Sequence, residues 1–290
     1  MNENISISYK TKTPLIEKLL DQENIKILER KSFLSKIFSS KENFADIYFH
    51  TGTIDNDALK KIHHSKLTIV NSQAIFHKLL LQKDINQSKI HVLYPSIDVV
   101  YKKTKEIKSE ICEKLNINPK NKILLFTAKN FKTSGIKEFI QIIASLNYDK
   151  FQVIIAGDSK QIVNLKFQMS NINLNDKIIL LEDYKNMDDL FLISDIFILP
   201  TYNQNFASSV LTAMFCKCAV FVSSNNHARE VVDIFATMDD PDDRSTAFKV
   251  DALLMGMDDL KLIKKQNRKV ALEHTLEKNL IKINQLIENI

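Results

Sequence analysis

Two polar turns within residues 199–232 hold the side chains best placed for chemistry. An apolar strand, Asp195–Leu199, runs into Pro200 and a loop carrying Gln204 and Asn205. A short helix follows, with Val210, Leu211 and Met214 on one face. A second apolar strand, Ala219–Val222, then runs into a loop carrying Asn226, His227 and Arg229, with Glu230 at the start of a further helix. Neighbouring strand-to-helix turns in an open parallel sheet are where such sheets bind ligands. The free N–H groups and positive dipole end of a helix N-terminus favour an anionic one. His227 beside Arg229 and Glu230 reads either as a polar site or as a surface histidine, and the surface position is the expectation.

The other reactive side chains form no pattern. Cys216-Lys217-Cys218 is too tightly spaced for a zinc knuckle and has no second pair, so these two and Cys112 read as reduced core thiols. His50, His63, His64 and His77 lack metal-ligand spacing with nearby carboxylates. Asp239, Asp240, Asp242 and Asp243 lack the spacing of a calcium loop and read as a solvated turn. No metal is expected.

These turns need a scaffold of alternating strands and helices. Short apolar strands are predicted at Ile5–Ser8, Ile25–Leu28, Asp46–Phe49, Leu67–Val70 and Ile90–Leu93. Helices are predicted between them at Pro14–Leu20, Ser32–Phe38, Asn56–His63 and Gln73–Gln82. A basic helix, Lys102–Leu115, leads to further strands at Ile123–Phe126, Gln152–Ala156 and Lys177–Leu181. Asp188 and Asp189 stand at a helix start, where the dipole favours them. Strand–helix alternation at this pitch implies parallel sheets with right-handed crossovers. Leu272, Leu276, Leu280, Ile283 and Ile287 make 260–290 one long terminal helix by periodicity.

Composition fits this frame. The chain has 290 residues, 44% hydrophobic and 26% charged, with a formal net charge of +5 from interspersed residues. That is the make-up of a globular protein with at most weak attraction to anionic surfaces. No apolar run reaches the roughly 20 residues of a membrane-spanning helix. The opening MNENISISYK lacks a signal-peptide layout, so the cytoplasm, with the inner membrane face as a variant, is the expected location. Four glycines in 290 residues fall far below the usual ~7%. Backbone loops that cradle phosphate need close approach and often positive φ, so this scarcity counts against a nucleotide site.

The stretch 199–232 resembles the donor-binding segment of retaining, nucleotide-sugar-dependent glycosyltransferases of GT-B type, family 4. That segment reads P-S-x-x-E-G-F-G-x-x-x-L-E-A-M-A-x-G-x-P-V-I-A-S, then G-G-x-x-E. Leu199-Pro200-Thr201, Phe206, Leu211, Ala213-Met214, Val220 and Glu230 occupy matching positions. Lys66–Ser72 followed by Ser88–Asp98 is similar to the close of the family's N-terminal domain, with Ser96-Ile97 in place of Asn-Gly. The resemblance implies an α/β fold of GT-B type: two Rossmann-like parallel-sheet domains facing across a cleft. The N-terminal one is reduced to about a hundred residues against a usual size of roughly 180. The implied divisions are 1–98, 99–268 and a terminal helix, 269–290, packing back on the N-terminal domain.

The same resemblance shows what has changed. The family's two glutamates become Gln204 and Thr212; an amide carries no net charge, and a threonine has a single hydroxyl. The phosphate-binding Arg and Lys become Lys129 and Ser134, with Lys132 two residues earlier; solvated loop lysines are the alternative reading of Lys129 and Lys132. Asn205 and Ala207 replace glycines at a helix start, Asn226 and His227 replace the next glycine pair, and Lys217 replaces the glycine that turns left-handed after the helix. Gly157-Asp158 keeps the family's A-G-D, read as the sharp turn into the next helix. If donor binding survives, the resemblance places it on Lys129, Lys132, Gly157, Asn205, Phe206 and Glu230.

The expected protein is therefore a degenerate glycosyltransferase relative that no longer transfers sugar and binds another protein. The alternative is an active retaining transferase moving sugar from a nucleotide donor to a bacterial surface glycan or lipid-linked acceptor. No cofactor is expected beyond that donor, and no nucleic acid. Contact with a membrane would be peripheral at most.

Overall fold

The computed structural model describes residues 4–28, 43–169 and 176–290; the helix expected at Ser32–Phe38 lies outside them. Contacts divide the chain into two compact units. One runs up to Asp98 and resumes at His274–Ile290; the other is Val99–Glu273.

The first unit is built on a parallel sheet of β1 (Ile5–Tyr9), β2 (Ile25–Ile27), β3 (Ile47–His50), β4 (Leu67–Val70) and β5 (Ile90–Val92), in the order β2-β1-β3-β4-β5. All four residues of β3 and of β4 are buried, as expected for strands covered on both faces. Its helices are α1 (Pro14–Leu20), α2 (Asn56–His64) and α3 (Gln73–Leu80). Each begins at a side-chain cap, from Thr13, Asp55 and Ser72 respectively, which takes up an otherwise unpaired N–H of the first turn.

The second unit carries α4 (Thr104–Lys114), β6 (Lys122–Thr127), α5 (Ile136–Ala144), β7 (Phe151–Gly157), α6 (Ser159–Met169), β8 (Ile178–Glu182), α7 (Met187–Ile193), β9 (Ile196–Leu199), α8 (Ser208–Phe215) and β10 (Ala219–Ser223). A 3₁₀ turn at His227–Val231 follows, then β11 (Thr237–Met238), α9 (Ser245–Met255) and α10 (Met257–Ala271). The six strands run parallel in the order β11-β10-β9-β6-β7-β8. From β6 the chain builds outward through β7 and β8, then returns to β9 on the other side. The order therefore reverses between β6 and β9, and the loops leaving their C-terminal ends part there. That reversal is the place where open α/β sheets take ligands.

Two sequence expectations need correction. Residues 260–290 are not one helix: α10 ends at Ala271, a 3₁₀ turn covers Leu272–His274, and α11 (Leu276–Ile287) begins afresh. The break is made by Thr275, whose hydroxyl accepts from Lys278 N–H while its backbone bridges to Ile97. Apolar periodicity continues across a break of this length, so the pattern alone does not reveal it. Likewise no α-helix starts at Glu230, which lies inside the 3₁₀ turn.

Candidate functional site

Three loops and one helix start meet at the C-terminal end of the second sheet. The loop after β6 is tied to the loop after β9 through Thr133, whose carbonyl accepts from Tyr202 N–H at 2.9 Å and from the Thr201 hydroxyl at 3.2 Å. Gly135 permits this approach. Its φ is +77°, and a Cβ there would collide with the Pro200 carbonyl, so only glycine satisfies both conditions. On its other side the loop is held by Gln161 of α6. The Gln161 Oε1 accepts from Phe131 N–H at 2.5 Å, and its Nε2 donates to the Lys129 carbonyl at 3.2 Å and to Asp158. Asn130 takes two more N–H groups, Thr133 through its side chain and Ser134 through its carbonyl.

Gly157 serves this packing in a way the sequence does not disclose. Its φ is not positive; the reason for glycine is the Phe131 ring, whose Cε1 would lie 2.7 Å from a Cβ at 157. Phe131 is buried and packs edge-on against Phe126. The turn argument for Gly157 is thus replaced by one of side-chain space.

The loop after β9 and the turn after β10 are joined by Asn226, 1% exposed. Its Nδ2 donates to the carbonyls of Asn203 and Asn205, both at 2.7 Å, and its Oδ1 accepts from Ala207 N–H at 3.2 Å and Ala228 N–H at 2.9 Å. Four bonds saturate the amide. Ala207 is the residue at the start of α8, so a protein side chain already occupies a backbone donor at this helix N-terminus. His227 is correspondingly buried, not a surface histidine: its N–H donates to the Gln204 carbonyl at 2.9 Å, which draws the residue inward.

The remaining candidates fall as follows. Lys129 and Lys132 are exposed on the loop after β6; Gln204 and Asn205 are exposed on the loop after β9. Phe206 is buried, and Thr212 and Glu230 are half-buried, in α8 and the 3₁₀ turn. Lys217 adopts the left-handed conformation, with φ +63°.

Residues 107–270, more than half of the chain, match the family described as glycosyl transferases group 1. The chain belongs to that family. Glycosyltransferases also stand among the solved structures it resembles. HepE (Alr3699) of Anabaena in complex with UDP-glucose matches at TM-score 0.73 and 16% identity, over 84% of this chain and 72% of that one. A glycosyltransferase from Rickettsia africae matches at TM-score 0.72 and 17% identity, over 98% and 89%. WaaG, a glycosyltransferase involved in lipopolysaccharide biosynthesis, matches at 0.71 and 10%, over 97% and 98%. These likenesses carry the fold: an α/β protein of GT-B type with two parallel sheets. A comparison with curated proteins finds no match.

One residue of chemical interest escaped sequence reasoning, and a second, His50, was weighed there only as a metal ligand. Asp195, read there only as the first residue of a strand, is 6% exposed at the start of β9. It accepts from Ile123 N–H at 3.1 Å and pairs with Lys264 at 2.8 Å, Lys108 at 3.7 Å and Lys122 at 3.8 Å. Burial raises its pKa, but the three lysines outweigh burial and hold it below the ordinary carboxylate value. A lone acid leading a wholly apolar strand was the available signal. In the first unit, His50 ends β3 at 1% exposure, with its Nδ1 3.2 Å from the Tyr48 hydroxyl and its Nε2 without a hydrogen-bond partner. Burial pushes its pKa down against the opposing pull of Asp55. Among the described residues no cluster of His, Cys, Asp or Glu is arranged to hold a metal, and no helix is long and apolar enough to cross a membrane.

Proposed function

We propose that this chain is a degenerate family 4 relative that has lost sugar transfer and serves as a protein-binding component. One observation carries the reading: polar side chains of the protein itself occupy four backbone donors at the strand ends. Asn226 takes the Ala207 and Ala228 N–H groups, Gln161 takes that of Phe131, and Asn130 takes that of Thr133. An anionic donor would have to displace these bonds, each worth about 1 kcal/mol net. The losses at Gln204, Thr212 and Ser134 support the same conclusion, since they remove the carboxylates and one phosphate cation together. Support for a protein partner comes from large apolar side chains left in solvent on adjoining elements. Ile234, in a 3₁₀ turn at Ile234–Ala236, is 88% exposed, and Phe248, on the helix α9 packed against that turn, is 72% exposed.

The alternative is an active transferase, cytoplasmic or at the inner membrane face, with a nucleotide sugar as donor and a glycan or lipid-linked acceptor. It draws support from Lys129 and Lys132, which stand exposed on the loop after β6, and from HepE, solved with UDP-glucose. A thermal-shift panel of UDP-, GDP- and ADP-sugars separates the two. A ligand that binds only the folded state at a hundred times its Kd stabilises it by about 2.7 kcal/mol. No shift at millimolar sugar nucleotide is the expected result. A saturable shift that disappears in Lys129→Ala would show donor binding through that lysine and overturn the degenerate reading.

A further inference from the structure

At the other end of the second sheet, where the strands begin, lies a cavity of about 510 Å³. Six cationic side chains line it, Lys122, Lys217, Lys261, Lys264, Lys265 and Arg268, against one carboxylate, Asp195, with Met257 and Leu260 as apolar lining. Positions 257, 261, 264, 265 and 268 recur at helical spacing, so α10 turns one cationic face to the cavity. Asp195 is shared by Lys264, Lys122 and Lys108, and Lys261 reaches Asp258 at 3.0 Å. Among the described residues Lys217, Lys265 and Arg268 form no ion pair with a carboxylate. The cavity therefore keeps a positive excess at short range.

Two features indicate that this excess is held in place. The Arg268 guanidinium lies 4.1 Å from the Tyr101 ring centre and 3.8 Å from that of Phe215, and it also donates to the Phe215 carbonyl. A planar cation fixed in this way loses little freedom on presenting its remaining N–H groups to an oxyanion. Lys217, its ammonium 5.1 Å from the Tyr101 ring centre, sits in the left-handed region. Among the described residues the other non-glycine ones found there, Asp84, Asn116 and Asp183, are of types that tolerate it. Strain kept at one lysine beside a cationic cavity points to a use for its charge.

We propose that this cavity binds a phosphate ester. Lys217, Lys265 and Arg268 take the phosphate oxygens, and Met257 and Leu260 take the apolar part of the ligand. Arginine supplies the two-pronged contact that phosphate geometry matches, and the lysines supply point charges. A soluble phosphorylated compound and a phospholipid headgroup share this chemistry. The site is separate from the loops at the C-terminal strand ends and does not depend on whether sugar transfer survives.

The test titrates inorganic pyrophosphate into the full chain by calorimetry. In parallel the protein is sedimented with phosphatidylcholine vesicles with and without phosphatidylglycerol. Both arms are repeated in Lys129→Ala/Lys132→Ala, which removes the loop lysines at the far end. A saturable site that persists in that variant is expected. Lys217→Glu/Lys261→Glu/Lys265→Glu, all exposed positions, should weaken it at least about tenfold, against less than about twofold for Lys137→Glu/Lys150→Glu/Lys185→Glu. Amide shifts of Lys217 and Arg268 in the unaltered protein supply the same answer should the triple variant misfold. Pyrophosphate binding assigns a soluble ligand, and binding only to phosphatidylglycerol vesicles assigns a headgroup. Equal losses in the two triple variants, or binding of neither probe, would overturn the proposal.

Discussion

At the scale of single residues, Lys217 and Asn226 matter most. Lys217 holds φ +63°, a conformation that costs a side-chain-bearing residue about 1 kcal/mol relative to glycine. Lys217→Gly should therefore raise unfolding free energy by about that amount in urea titrations, while weakening pyrophosphate binding at the cationic cavity. Asn226 behaves differently. Removing its amide in Asn226→Ala would strip partners from two carbonyls and two N–H groups and should cost about 2–3 kcal/mol. Hydrogen exchange should quicken at Ala207 and Ala228 in that variant; unchanged protection would mean the amide does not hold the loops. The family resemblance implies that Asn226 and His227 stand where relatives carry a glycine pair. It does not show that the asparagine turns inward to join two backbones, because that depends on carbonyls more than twenty positions earlier in the chain.

At the scale of elements, the strands were the most legible part. Runs such as Ile196–Leu199 and Ala219–Ser223 are buried throughout, and short runs of this kind between turn residues admit few other readings. Less legible was what fastens the strands at their starts. Asp195 binds β9 to the first residues of β6 and collects three lysines from α4, the start of β6 and α10. Those partners lie 69 to 87 positions away, so no local pattern signals them. Asp195→Asn leaves the lysines without their common counter-charge and should destabilise the fold by about 2–4 kcal/mol at neutral pH. The sign with acid follows from the depressed pKa. Stability from the carboxylate is complete above its ordinary unfolded value and is lost as pH falls through the lower folded value. The deficit of the variant should accordingly shrink in strong acid; a deficit that stays constant there would assign the effect to packing alone.

At the scale of the whole molecule, three groups shifted downward in the two units act in the same direction as pH falls. His50 has its pKa lowered by burial, and Asp46 and Asp243 are held low by hydrogen bonds and nearby lysines that outweigh their burial. A histidine buried neutral contributes stability above its unfolded value near 6.5, and that contribution is lost as pH falls through the lower folded value. The melting temperature should thus decline first below about pH 6.5 and again in the carboxylate range. His50→Asn should remove the first decline and leave the second. Two parallel sheets were legible from the alternation of strands and helices. Ligand chemistry was less so: the family resemblance implies which groups differ at Gln204 and Thr212, whereas the side chains that bond the backbone donors at the strand ends emerge only from folded geometry.

The bridge between Ile97 and Thr275 has a topological consequence. Ile97 N–H donates to the His274 carbonyl and Leu276 N–H to the Ile97 carbonyl, both at 2.9 Å. The points where the chain leaves the first unit and re-enters it are thereby clamped together, so that Val99–Glu273 is an insertion whose two stems share one anchorage. A splice of a few residues from Asp98 to His274 would preserve every strand neighbour of the five-stranded sheet. Evolution, or an engineer, has there a natural seam for exchanging one half of the protein without reordering the other.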